Sequence, residues 1–97
     1  MSSTTAESLI QVLMNRSADV SERDDAAMDL EAFTGDAVTE ALAKVVTSSD
    51  EDDLVIESAL ESLGGVWARD GAPQKEIFAT LPTWAQERVL GIIQARQ

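Results

Sequence analysis

The sequence predicts an all-α fold of five to six short helices in antiparallel hairpins. Three observations carry that expectation. Apolar residues recur at spacings of three and four along most of the chain, as in Leu9, Ile10, Leu13 and Met14. Strand signals are missing: there is no alternating Val/Ile/Thr run, and Asp70-Gly71 leads into Ala72-Pro73, which suits a helix boundary better than a hairpin. Ser, Thr and Asp stand where the apolar periodicity restarts, as helix N-caps do.

The elements follow in order. A first helix is expected over residues 5–15, within an N-terminal capping segment of residues 1–18. Thr4 followed by Glu7 fits a capping box, and Leu9, Ile10, Leu13 and Met14 form the apolar face. A second helix starts after Ser21, again with an acid three residues on, Asp24. It carries Ala26, Ala27, Leu30 and Phe33, and Gly35 stops it. A third spans residues 36–46 with Val38, Ala41, Leu42, Val45 and Val46 inward, so that residues 21–46 form one hairpin.

Thr47, Ser48, Ser49 and Asp50 make a loop and a cap. The fourth helix begins near Glu51 and holds Leu54, Ile56, Ala59, Leu60 and Leu63. Gly64-Gly65 costs a helix roughly 1 kcal/mol per glycine, so either the helix ends there or a neighbouring backbone packs closely. Pro73 suits the first turn of a fifth helix carrying Ile77, Phe78 and Leu81, and Pro82 ends it. Residues 50–81 thus form a second hairpin. Thr83 caps a sixth helix over residues 83–94, with Trp84, Val89, Leu90, Ile92 and Ile93. The 97 residues suit one domain, and 44% hydrophobic content is enough for a packed core.

Composition excludes most chemistry. The chain has 18 Asp and Glu against 7 Lys and Arg, a net charge of −11, and no His, Cys or Tyr. It therefore lacks a thiolate nucleophile, an imidazole base and a His-based zinc site. Gly64-Gly65 is not followed by the Lys-Ser/Thr of a phosphate loop, and no serine sits in a nucleophile elbow. Asp50, Asp52 and Glu61 occupy positions one, three and twelve of a calcium-loop window, but Leu54 and Val55 stand at five and six, where a ligand and a glycine are needed. Glu57 and Glu61 on one helix face give no acid/base differentiation. The expectation is a protein without enzymatic activity, cofactor or metal. So anionic a surface also disfavours direct nucleic-acid binding. The N-terminus lacks the basic start and long apolar run of a secretory signal, and no stretch reaches the roughly 18 apolar residues of a membrane span, which predicts a cytoplasmic protein.

The charge is concentrated. Residues 19–61 hold fourteen acids and two bases, whereas residues 62–97 hold three acids and four bases. Two clusters, Glu22/Asp24/Asp25 and Asp50/Glu51/Asp52/Asp53, fall at the starts of the second and fourth helices, and Glu57 and Glu61 extend the second cluster along its helix. Acids favour helix N-termini by roughly 0.3–1 kcal/mol each, which explains one or two per helix. Four consecutive acids repel one another, and Glu57 and Glu61 lie too far along to gain from the helix dipole. These nine residues are the candidate partner-binding surface, and a basic protein is the expected partner. Trp67 and Trp84 are read first as packing residues; Trp67 is retained as a tenth candidate contact because Trp is enriched at binding hot spots.

A repeat of about thirty residues runs through the apolar positions. Leu30, Leu60 and Leu90 share that spacing, as do Phe33, Leu63 and Ile93; Glu31 matches Glu61, and Glu57 matches Glu87. The stretch 49–66, with Asp50, Val55 or Ile56, Ala59, Leu60, Leu63 and Gly64, resembles the first helix of a HEAT-like repeat. Residues 21–37 form a weaker copy through Leu30, Phe33 and Gly35, and the likeness covers roughly residues 21–93. It departs from the family where Glu57 stands in place of a basic residue. In size, charge and repeat style the chain is also similar to small acidic bacterial immunity proteins. That resemblance implies neutralisation of a basic toxin, such as a nuclease, by occluding its active site with carboxylates. Two other readings remain: an acidic nucleic-acid mimic or adaptor on a host nucleic-acid-binding protein, and a HEAT-like scaffold subunit of a larger assembly.

Overall fold

The computed structural model describes residues 5–97. Those residues form α1 (Ala6–Met14), α2 (Val20–Asp29), a 3₁₀ turn (Leu30–Ala32), α3 (Asp36–Thr47), α4 (Asp53–Asp70), α5 (Lys75–Thr80) and α6 (Thr83–Arg96). All the regular structure among them is helical.

Local chemistry moves several boundaries. Thr5 caps α1: its hydroxyl accepts from the Ser8 N–H, and the Ser8 hydroxyl accepts from the Thr5 N–H, so the capping box is Thr5/Ser8. Thr4, the expected cap, lies outside the described residues. The second helix starts at Val20, ahead of Ser21, with Asp19 at the N-cap. It tightens into the 3₁₀ turn before Phe33. Gly35 opens α3 as its N-cap at φ 116°, a value that favours glycine. Gln74 rather than Pro73 precedes α5, and Pro82 rather than Thr83 occupies the N-cap of α6.

The largest correction is α4. It does not end at Gly64-Gly65 but runs for 18 residues, to Gly71 in the left-handed C-cap conformation. The two glycines are where neighbours press in, though as side chains and not as backbone. A Cβ on Gly64 would lie 2.5 Å from Ile92 Cγ2, and one on Gly65 would strike the Glu31 carboxylate.

Cross-contacts fix the helix directions. Ser58 and Ser62 of α4 donate to Asp24 and to the Ala27 carbonyl of α2, so these helices run in the same direction. Glu57 and Glu61 of α4 meet Arg88 and Arg96 of α6, so α6 runs the same way. Gln74 accepts from Trp67 Nε1 at 3.0 Å and donates to Asp36 at 2.7 Å. That bridge sets the start of α3 against the end of α4, and the two run oppositely. α1 packs on α2 and α3, and α5 on α3.

The repeat register differs between successive helix pairs. α4 starts 33 residues after α2, and α6 starts 30 after α4. The thirty-residue spacing therefore describes α4 and α6, where Val55/Ala85, Ala59/Val89 and Leu63/Ile93 are buried pairs. For α2 and α4 the corresponding buried positions are Ala26/Ala59, Ala27/Leu60 and Leu30/Leu63. Leu90, expected inside with Leu30 and Leu60, is 48% exposed on the outermost helix, and Met14 also faces outward.

Trp67 is fully buried, its indole tilted against Phe78 with ring centres 6.2 Å apart. It anchors the segment around α5, which has no fully buried residue of its own. Trp84 is 46% exposed.

Candidate functional site

The helix directions bring the two acidic clusters to one end of the molecule, where the parallel α2 and α4 both begin. The arrangement starts with a basic residue. Arg23, Ala26, Ala27 and Leu30 share the inward phase of α2, so the guanidinium enters the interior at 4% exposure. Its Nε donates to the Leu13 carbonyl at 2.9 Å, and its two terminal nitrogens donate to Glu51 at 2.7 and 2.6 Å. The Glu51 carboxylate also accepts from the Asp52 N–H at 3.0 Å, and Arg16 Nε lies 3.6 Å away. The hydrogen bond from Arg23 holds Glu51 below the usual carboxylate range against the opposing effect of burial. The same bond raises Arg23 above the usual arginine value.

Glu51 is thus a buried member of the acidic cluster with no free face for a partner. Asp50 is exposed but occupied. It accepts from the Ser48 hydroxyl at 2.8 Å and from Arg16 at 3.1 Å, and these bonds, Ser48 first, keep it charged below the usual range. Asp52 caps α4 through the Leu54 N–H at 2.9 Å. Asp24 is half-buried and accepts from the Ser58 hydroxyl. Glu22, Asp25 and Asp53 are exposed, and among the described residues no base pairs with them or with Asp19 and Asp52. Val20 and Leu54, 40% and 53% exposed, stand in the first turns of α2 and α4 among these carboxylates.

Glu57 and Glu61 lie apart from that end, on the outer face of α4, and both are met by arginines of α6. Arg88 makes a two-pronged contact with Glu57 at 2.7 and 3.2 Å, which holds Glu57 below the usual carboxylate range. Arg96 bridges Glu31 at 2.8 Å and Glu61 at 3.3 Å. Arg69 donates to the Glu31 and Phe33 carbonyls, groups left unpaired where the helical segment ends. A cleft of about 650 Å³ lies between α2 and α4, lined by Met28, Asp29, Glu31, Glu57 and Glu61 among others. Arg69 and Arg96 stand among the four carboxylates Asp29, Glu31, Glu57 and Glu61 and offset part of their charge.

Trp67, the remaining candidate, is in the core and offers no surface. Neither the residues that organise the end, Arg16 and Arg23, nor those that meet the outer face of α4, Arg88 and Arg96, were singled out from sequence. For Arg23 a signal existed, since a charge three and four residues before Ala26 and Ala27 shares their apolar phase. Among the described residues no group of three or more carboxylates is placed to hold a metal ion. No helix among them is long and apolar enough to cross a membrane.

The fold and site define an all-helical domain with an acidic end built over a buried arginine. No family model matches the chain, and neither the curated proteins nor the solved structures compared with it give a match.

Proposed function

We propose that this domain is a non-catalytic, cytoplasmic protein-binding module of the immunity type, which covers a basic surface on a toxin, such as a nuclease active site. One observation carries the reading. All five arginines are committed to contacts within the domain, while Asp19, Glu22, Asp25, Asp52 and Asp53 share one end without basic partners among the described residues. Such a surface attracts cations and speeds encounter with a basic protein, and exposed Val20 and Leu54 supply apolar contact once it docks. The parallel course of α2, α4 and α6 supports a HEAT-like stack as the frame. Glu51 and Trp67 drop out of the binding set, and Glu57 and Glu61 become secondary because α6 already neutralises them.

The test is capture from native lysate by the wild-type domain and by a variant carrying Glu22→Lys, Asp25→Lys and Asp53→Lys. This set spares Asp52, whose loss as a helix cap would itself cost about 1 kcal/mol. The expected result is a basic partner that elutes as salt rises and is lost with the variant. Equal capture by both proteins overturns the acidic-end reading. A scaffold role has its own support, the exposure of Trp84 and Leu90 on the outermost helix. It would give a salt-resistant assembly sensitive to Trp84→Ala.

A further inference from the structure

The polar cluster at the acidic end joins the end of α1 and the start of α2 to the loop before α4, across sequence separations of 28 to 34 residues. Only Leu9 and Leu13 of α1 are buried, and the helix packs on α2 and α3. The link from α1 to α2, residues 15–19, has local bonds, Ser17 N–H to Asn15 Oδ1 and Ala18 N–H to the Asn15 carbonyl, and is tied to the loop before α4 by Arg16, which donates to Ser48 at 2.8 Å and to Asp50 at 3.1 Å. At the far end of α1 the buried Leu13 side chain packs in the core, and the polar fastening is Arg23 on the Leu13 carbonyl, with Glu51 holding Arg23. The remaining core, Trp67, Leu60, Leu63 and Val66 of α4 with Val89 and Ile93 of α6, lies on other elements.

We propose that α1 is a strap closed by a carboxylate latch: Glu51 clamps Arg23 beneath the end of α1, and loss of the Glu51 charge frees α1 while α3 to α6 stay packed. The charged and titratable groups at the latch are Arg23 from α2, Arg16 from the α1–α2 link, and Asp50 and Asp52 beside Glu51. Asp50 is engaged by Arg16 and Ser48, and Asp52 by the Leu54 N–H, so neither replaces Glu51 against Arg23. A guanidinium left with a neutral partner in the interior costs far more than one in water, and opening at α1 is the shortest way to hydrate it. Because closure favours the charged carboxylate, the strap is closed above the ordinary carboxylate range and opens as pH falls below it. This inference stands apart from the partner reading, since opening needs no ligand.

The experiment follows methyl resonances of Leu9 and Leu13, with Val66 and Ile93 as internal references, from pH 7 to pH 3 in the full chain. Amide exchange of α1 in Glu51→Gln is measured at pH 7. The leucine methyls are expected to shift at a higher pH than the references, and α1 protection in Glu51→Gln to fall roughly tenfold or more. In the double variant Arg23→Met with Glu51→Leu, which removes both charges along with the bond to the Leu13 carbonyl, the acid opening of α1 at the wild-type midpoint is expected to disappear. A single common transition for all four methyl groups overturns the proposal. So does unchanged α1 protection in Glu51→Gln, or the same acid midpoint in the double variant.

Discussion

Two ion pairs of nearly equal geometry tie α4 and the loop before it to α2 and to α6. Arg23 meets Glu51 at 2.6 Å with side chains 5% and 2% exposed; Arg88 meets Glu57 at 2.7 Å with side chains 48% and 52% exposed. Distance does not distinguish them. Burial does, because the inner pair has lost its water and each charge depends on the other, while the outer pair exchanges one set of favourable contacts for hydration. The first is a structural commitment of the fold. The second is a surface contact that a partner could replace at small cost.

The sharpest way to break this comparison is at Glu51. Glu51→Ala is expected to lower unfolding stability by roughly 3–5 kcal/mol, because Arg23 is left buried and uncompensated. Replacing both partners together, Arg23→Met with Glu51→Leu, is expected to recover most of that loss, since apolar groups of similar volume need no counter-charge. Urea denaturation of the three proteins measures both effects. A Glu51→Ala domain within about 1 kcal/mol of wild type would mean that Arg23 reaches water in the folded state, contrary to its burial.

The two glycines of α4 extend the contrast from charges to packing. Gly64→Ala drives a methyl into the branched Cβ end of Ile92, which cannot swing aside without moving α6. Overpacking of this kind costs about 1–3 kcal/mol, more than the roughly 1 kcal/mol gained in helix propensity. Gly65→Ala meets only the end of the flexible Glu31 side chain. That carboxylate can move at the expense of its exposed pair with Arg96, so the net change is expected within about 1 kcal/mol of zero. Thermal unfolding of the two variants should separate them by several degrees. Equal melting temperatures would show that α6 yields at Ile92.

Sequence periodicity located the helices because side-chain phase is a local property. Leu13, Leu42 and Leu60 are buried in the positions their spacing implies. It misplaced features decided by neighbours distant in the chain. The end of α4 could not be read from Gly64-Gly65, since the glycines make room for Ile92 and Glu31 rather than terminating the helix. The 33-residue offset between α2 and α4 was hidden because Leu30 and Leu60 are both buried leucines and mimic a regular thirty-residue repeat, although Leu60 matches Ala27 and Leu30 matches Leu63. In the acidic region the residue types were legible but not their fates. Four acids run from Asp50 to Asp53, yet Asp50 pairs with Arg16, Glu51 turns inward, Asp52 caps a helix and Asp53 faces solvent. Arg23 of α2 draws Glu51 inward and Arg16 of the α1–α2 link engages Asp50, and neither neighbour is local in sequence to that loop.

The smallest expected effect lies at the outer pair and sharpens the contrast most cleanly. Glu57→Gln should cost roughly 0.2–1 kcal/mol at neutral pH and low salt. The hydrogen bond from Arg88 lowers the Glu57 pKa in the fold, so its contribution is present above the ordinary carboxylate range and lost as pH falls below about 4. Wild type and Glu57→Gln should therefore differ at pH 7 and converge toward pH 3. Salt near 1 M should close the same gap at pH 7, because screening reaches an exposed pair. It should leave the Glu51→Ala deficit nearly intact, because ions do not enter around a buried guanidinium. Equal salt sensitivity of the two deficits would show that both pairs see the same solvent, and the distinction between a buried clamp and a replaceable surface contact would fall with it.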